Sequence, residues 1–270
     1  HPLSRRQRQM CIRDRYQPRA EVRSSSLLEG EQLKSVQDRL NAFALSWPRE
    51  ILARAVALEG ETLTGTARGI AYQVFESLGT LPSRNVNEMV KQLDDDGRRQ
   101  LAQHGIRLGV DMIYMPDLLK PAQIDAKALL YSLSTDERPE CGPPPPGRVA
   151  IDHVDGVSDG YWLATGYRRL GGRVMRVDMA ERLSATVRAA AREGEFRINE
   201  EMLSLAGATR EQMEEMIVDL GYRKSGEEPA EDPEKPTISL FTRPQRPKKQ
   251  RDTGGGDRPK GQGKPKGKPR

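Results

Sequence analysis

Apolar residues recur at helical spacing along most of the first half of the chain. Leu33, Val36, Leu40, Phe43 and Ala44 form one stripe over 31–46. Ile51, Leu52, Ala55 and Val56 form the next, with Pro48 suited to the first position of a second helix. Leu63, Ala67, Ile70, Ala71, Val74 and Leu78 predict a third helix, stopped by Gly79. Ser83 is placed to cap a fourth carrying Val86, Met89, Val90 and Leu93, and Asp94 or Asp95 to start a fifth that Gly105 ends. Segments this short must draw their stability from packing on one another.

The pattern changes over 105–121. Ile106, Leu108, Val110, Met112 and Tyr114 alternate with Arg107, Gly109, Asp111 and Ile113, the period of a half-buried strand. Gly109 predicts a bulge or a bend into a second short strand. Pro116 and Pro121 bracket a rigid corner holding Leu118 and Leu119. Pro121 then opens a helix with Ile124, Ala128, Leu129 and Leu133 on one face. Four consecutive prolines within 134–148 favour extended polyproline II, so that stretch is expected to be a linker between two domains.

Beyond it come a short helical segment over 161–165 and two strands flanking Gly171-Gly172, the signature of a two-residue hairpin turn. Asp178 is placed to cap a helix with Met179, Leu183, Val187 and Ala190 inward. A strand over 195–198, a helix capped by Asn199, a turn at Gly207 and a helix capped by Thr209 follow. Strands over 222–224 and 237–241, joined by an acidic, Pro-rich loop, complete the order of a winged helix-turn-helix. The expected fold class is mainly α with small β elements. A helical domain over 27–133 precedes a hairpin plus winged-helix-like α+β module over 149–242, with disordered ends at 1–26 and 243–270.

The net charge of +5 hides a division. Residues 1–16 carry five Arg and one Asp, and 243–270 carry eleven Lys/Arg and two Asp. The 28 basic and 36 acidic residues between them leave that body at about −8. Residues 1–16 resemble translated sequencing-adapter sequence, with a genuine Arg-rich arm as the competing reading. They are set aside from fold reasoning with Cys11, and a start without Met leads to the expectation of a missing N-terminal part.

No apolar run approaches the roughly 18 residues of a membrane span, and no secretory signal pattern is present, so a cytoplasmic protein is expected. Cys11 and Cys141 lack metal or disulfide spacing, and His104 and His153 are isolated. Gly263-Lys264 and Gly267-Lys268 are each followed by Pro and make no phosphate-binding loop. Asp94, Asp95 and Asp96 suit a helix start better than a metal cluster. No catalytic, cofactor-binding or metal-binding residue is therefore assigned in this chain.

In a helix-turn-helix the second helix can enter the major groove. Here Arg210 shares that helix with Glu211, Glu214, Glu215 and Asp219, which phosphates repel, so a protein contact is expected instead. The candidate nucleic-acid residues are Arg168, Arg173 and Arg176 on the hairpin, where a solvated strand face is the alternative. Lys248, Lys249, Arg251, Lys260, Lys264, Lys266 and Lys268 of the tail are expected to bind RNA weakly and without sequence preference.

The stretch HGIRLGVDMIYMPDLLKPAQIDAKALLYSL (104–133) resembles the C-terminal region of bacterial superfamily 2 RNA helicases related to the mitochondrial degradosome helicase. The likeness extends to GTARGIAYQVFESLGTLPS (65–83), ATGYRRLGGRVMRVDMAERL (164–183) and EEMLSLAGATREQMEEMIVDLGYR (200–223), covering roughly 27–224. The resemblance implies an accessory region whose RecA-like motor domains, with ATP and Mg, lie outside this chain. It would brace the motor and add RNA or partner contacts. A stand-alone RNA-binding or adaptor protein is the alternative.

Overall fold

A computed structural model describes residues 15–23, 29–59, 63–135, 137–229 and 237–243. Helix α1 (Gly30–Ile51) runs through Pro48 instead of breaking there, and the interruption comes at Leu52 (φ −101°, ψ 29°) before α2 (Ala53–Val56). Pro48 lies in the last turn, so its missing N–H costs the helix one bond, and its carbonyl still accepts from Leu52 N at 2.9 Å. Helix α3 (Gly65–Glu76) buries Ala67, Ile70, Ala71 and Val74, as its periodicity predicts. A strand the pattern did not announce follows, β1 (Thr80–Pro82).

Ser83 does not cap the next helix, α4 (Asn87–Gln92). Its hydroxyl donates to Gly109 O at 3.1 Å and its amide to Asp111 O at 2.9 Å, which ties β1 to the central stretch. Asp94 does cap α5 (Asp95–Gln103), accepting from Gly97 N at 2.7 Å. Strands β2 (Arg107–Leu108) and β3 (Met112–Tyr114) form the bend expected at Gly109, in a sheet ordered β1-β3-β2. The bend resets the alternation: Val110 at its tip is 65% exposed, and Ile113 is fully buried.

A turn of 3-10 helix at Pro116–Leu119 drives Leu118 and Leu119 into the interior. Gly79, with φ +87°, abuts the Leu118 side chain so closely that a Cβ there would collide with it. Leu118→Ala is expected to cost about 2–5 kcal/mol. An unchanged unfolding midpoint would mean that the corner contributes nothing to the core. Helix α6 (Pro121–Thr135) follows, with its inward face rotated from the expected one. Leu129 and Leu133 are exposed, whereas Ile124, Lys127, Ala128, Leu130 and Tyr131 are buried.

The second half opens with β4 (Ala150–Asp152) and α7 (Asp159–Ala164), the latter capped by the Ser158 hydroxyl. The hairpin is β5 (Tyr167–Leu170) and β6 (Arg173–Arg176), in a sheet ordered β4-β6-β5. Helix α8 (Val177–Ala190) starts one residue before Asp178, whose carboxylate binds Arg176 instead, at 2.7 and 2.9 Å. Then come β7 (Phe196–Arg197), α9 (Glu200–Ala206), α10 (Arg210–Asp219), β8 (Arg223–Glu228) and β9 (Ile238–Thr242). With β9 between β7 and β8, this is the winged-helix order. Asn199 and Thr209 cap α9 and α10 as expected, Thr209 through a full capping box. The acidic loop between β8 and β9 lies largely outside the described residues.

Packing crosses both expected domain limits. The chain is mainly α with small antiparallel sheets, but 134–148 does not divide its packing. Tyr161, Trp162, Ala164, Tyr167 and Val174 join the core of the N-terminal helices, while Leu170 and Met175 join the winged-helix core. Strand alternation sends neighbouring side chains to opposite faces, so the hairpin is shared by both cores. The start of the chain is also not wholly apart from the fold. Tyr16 is buried and stacks on Phe75 at 4.4 Å between ring centroids, its hydroxyl donating to Phe75 O at 3.0 Å. That burial pushes its phenol above the ordinary pKa.

Candidate nucleic-acid interface

The turn between β2 and β3 aims three successive amides at one carboxylate of the other half of the molecule. Val110, Asp111 and Met112 N–H donate to Glu181 of α8 at 2.9, 2.7 and 2.6 Å. A Cβ on Gly109 would lie 2.6 Å from that carboxylate, so the close approach needs glycine. Asp111 adds ion pairs to Arg188 of α8 at 3.2 Å and to Arg168 of β5 at 3.7 Å. Charge-assisted bonds of this kind are about twice as strong as neutral ones. The two cores are clamped together here.

The acidic face of α10 has a structural use that the sequence did not reveal. Asp219 accepts from Gly171 N at 2.5 Å and Glu215 from Gly172 N at 3.1 Å, so two carboxylates cap the hairpin turn. Glu214 accepts from the Ser239 hydroxyl at 2.5 Å. The helix presents these carboxylates to its own protein.

The hairpin arginines do not form one patch. Arg173 pairs with Asp152 at 2.7 Å, and only 14% of its side chain is exposed. Arg176 is held bidentately by Asp178, a hydrogen bond that raises its pKa further. Arg168 faces elsewhere, onto Asp111. The tail candidates Lys248, Lys249, Arg251, Lys260, Lys264, Lys266 and Lys268 lie outside the described residues.

Beside the clamp is a cleft of about 320 Å³, walled by the β2–β3 turn, α7, β5 and the end of α10. Arg84, Arg168 and Arg169 contribute its guanidinium groups, and Asp111, Asp159 and Asp219 its carboxylates. Arg84 was invisible to sequence reasoning, because a lone Arg in a loop carries no pattern. Arg169 reaches the cleft together with Arg168 because β5 is the edge strand of its sheet.

Fold and site together define a helical scaffold with a winged-helix module and a mixed-charge cleft where the two are clamped. No protein-family model matches the chain, and no curated protein or solved structure matches it either. Among the described residues, no group of three or more His, Cys, Asp or Glu is placed to hold a metal ion. No helix among them is long and apolar enough to cross a membrane.

Proposed function

We propose that this chain is the accessory region of an ATP-dependent RNA helicase, bracing the motor and adding contacts to RNA. One observation carries the reading beyond the sequence resemblance. Glu181, within the helicase-like segment 164–183, clamps the turn at Val110 to Met112, within the helicase-like segment 104–133. The two segments are thus working parts of one joint, and a brace needs a stiff joint to pass force from motor to nucleic acid. ATP turnover belongs to the motor, so the chain alone is expected to hydrolyse none.

The test is a titration with single-stranded RNA at several salt concentrations, full chain against a chain ending at Thr242. The full chain is expected to bind weakly, with a logarithmic salt slope of about −0.7 per phosphate neutralised. Removing 243–270 takes away eleven basic residues and should cost most of the affinity and flatten the slope. Failure of both forms to bind RNA overturns the reading.

That outcome would favour a protein adaptor, for which one feature of α1 speaks. Leu40, Phe43 and Leu45 are 37%, 64% and 44% exposed, apolar surface suited to a protein partner.

A further inference from the structure

We propose that the cleft beside the Glu181 clamp seats one nucleotide of single-stranded RNA. Its phosphate would rest on Arg84 and Arg169, and its base edge on Asp159. The inference rests on the accessory-region reading and deepens it, moving part of the RNA contact from the tail into the folded body.

The charges in the cleft divide into committed and free groups. Asp111 is held between Arg168 and Arg188, and Asp219 accepts the Gly171 amide. Those charges are satisfied from within the protein. Arg84 is exposed, in the turn after β1, and bonds to none of the described residues. Arg169 spends its Nε on Gly171 O at 3.3 Å, which leaves its terminal amino groups uncommitted. Asp159, exposed at the first position of α7, also bonds to none of the described residues. Val110 stands at the rim, an apolar side chain 65% exposed.

The free chemistry is therefore two guanidinium groups, one carboxylate and one apolar contact. A guanidinium matches phosphate oxygens in a fork geometry that no other side chain offers. An ionised carboxylate only accepts hydrogen bonds, so the edge it meets must carry donors. Guanine presents two adjacent donors, N1–H and its exocyclic amino group, that match both carboxylate oxygens, whereas the Watson–Crick edges of cytosine, adenine and uracil each present one. Unstacked bases of single-stranded RNA are read in this way, by their edges and by contact with side chains. At about 320 Å³ the cleft lies at the small end of ligand sites, in keeping with one nucleotide.

Base preference separates the cleft from the tail, because a flexible basic tail binds phosphates without regard to sequence. The experiment titrates the full chain with labelled oligo(U) and with oligo(U) carrying two separated guanines, each of about 12 nucleotides, at about 0.3 M salt to weaken the tail contribution. The guanine-bearing strand is expected to bind about five- to tenfold tighter than oligo(U). Asp159→Ala should remove that preference, and Asp159→Asn, which keeps one acceptor oxygen and the size of the side chain, should reduce it. Arg84→Glu should weaken binding of the guanine-bearing strand about tenfold. Both side chains are exposed, and thermal midpoints near that of the parent protein confirm that each variant is folded. Equal binding of the two oligonucleotides, or a preference undiminished in Asp159→Ala, overturns the cleft and leaves the accessory-region reading on the tail. If neither oligonucleotide binds even at about 0.1 M salt, both inferences fall together.

Discussion

Lys127→Met is expected to stabilise the protein at pH 7, because burying an ion without a partner costs several kcal/mol and methionine has a similar volume and no charge. Lys127 lies in the middle of α6 with no exposed surface, and its Nζ has no hydrogen-bond partner. The amine sits near Leu119 and Gly166, where a Cβ on the glycine would be 3.3 Å from it. Burial alone lowers its pKa from 10.5 to about 7. Between those values the unfolded chain holds a proton that the folded chain has released. Stability therefore rises with pH across that window, by up to about 1.4 kcal/mol per unit from this group. Below pH 7 both states are protonated and the penalty is present in full. Urea unfolding of parent and variant at pH 6.5, 8 and 9.5 should show the gap between them closing as pH rises. A constant gap would mean that the amine is neither buried nor unpaired.

Glu181→Ala is expected to be the most damaging single change at the joint. It strips one acceptor from three amides at once, two of them partly buried, and hydrogen bonds to charged groups contribute about 1.5–3 kcal/mol each. Because the three share one carboxylate their contributions do not add, and a loss of about 3 kcal/mol is expected. Hydrogen exchange locates the effect: the amides of Val110, Asp111 and Met112 should lose protection before the rest of β3. Glu181→Gln keeps a single acceptor oxygen and should recover part of that protection. Unaltered exchange at these three amides in the alanine variant would show that Glu181 does not hold the turn.

The candidate site was only partly legible in the sequence. Arg168, Arg173 and Arg176 stand in the sequence as a basic cluster on a hairpin, yet the carboxylates that pair with all three lie outside the hairpin strands. Asp152 reaches Arg173 from the neighbouring strand β4, and Asp178 binds Arg176 across the start of α8. Arg84 and Asp159 had no pattern to mark them, since a site assembled from separate turns and helices leaves no spacing in the chain. The acidic α10 has the sequence of a surface that repels phosphate, yet the amides its carboxylates bind belong to a hairpin more than 40 residues away.

What the sequence by itself determined is what acts within a few residues. The side chains of Asn199 and Thr209 cap the amides that follow them, Gly171-Gly172 turns the hairpin, and Gly109 bends the central stretch. Helical periodicity placed α3, and the order of elements placed the winged helix, because both are written as local alternations of apolar and polar residues. Tertiary structure alone decided the contacts between distant parts. Tyr16 packs on Phe75 and bonds to its carbonyl 59 residues on, although its own neighbourhood gave no sign of a fold. Glu181 meets its amides across about 70 residues, and Lys127 lost its water because helices and turns from both halves closed around it. Burial and pairing depend on which surfaces meet, and a local pattern specifies only which surfaces each segment has to offer.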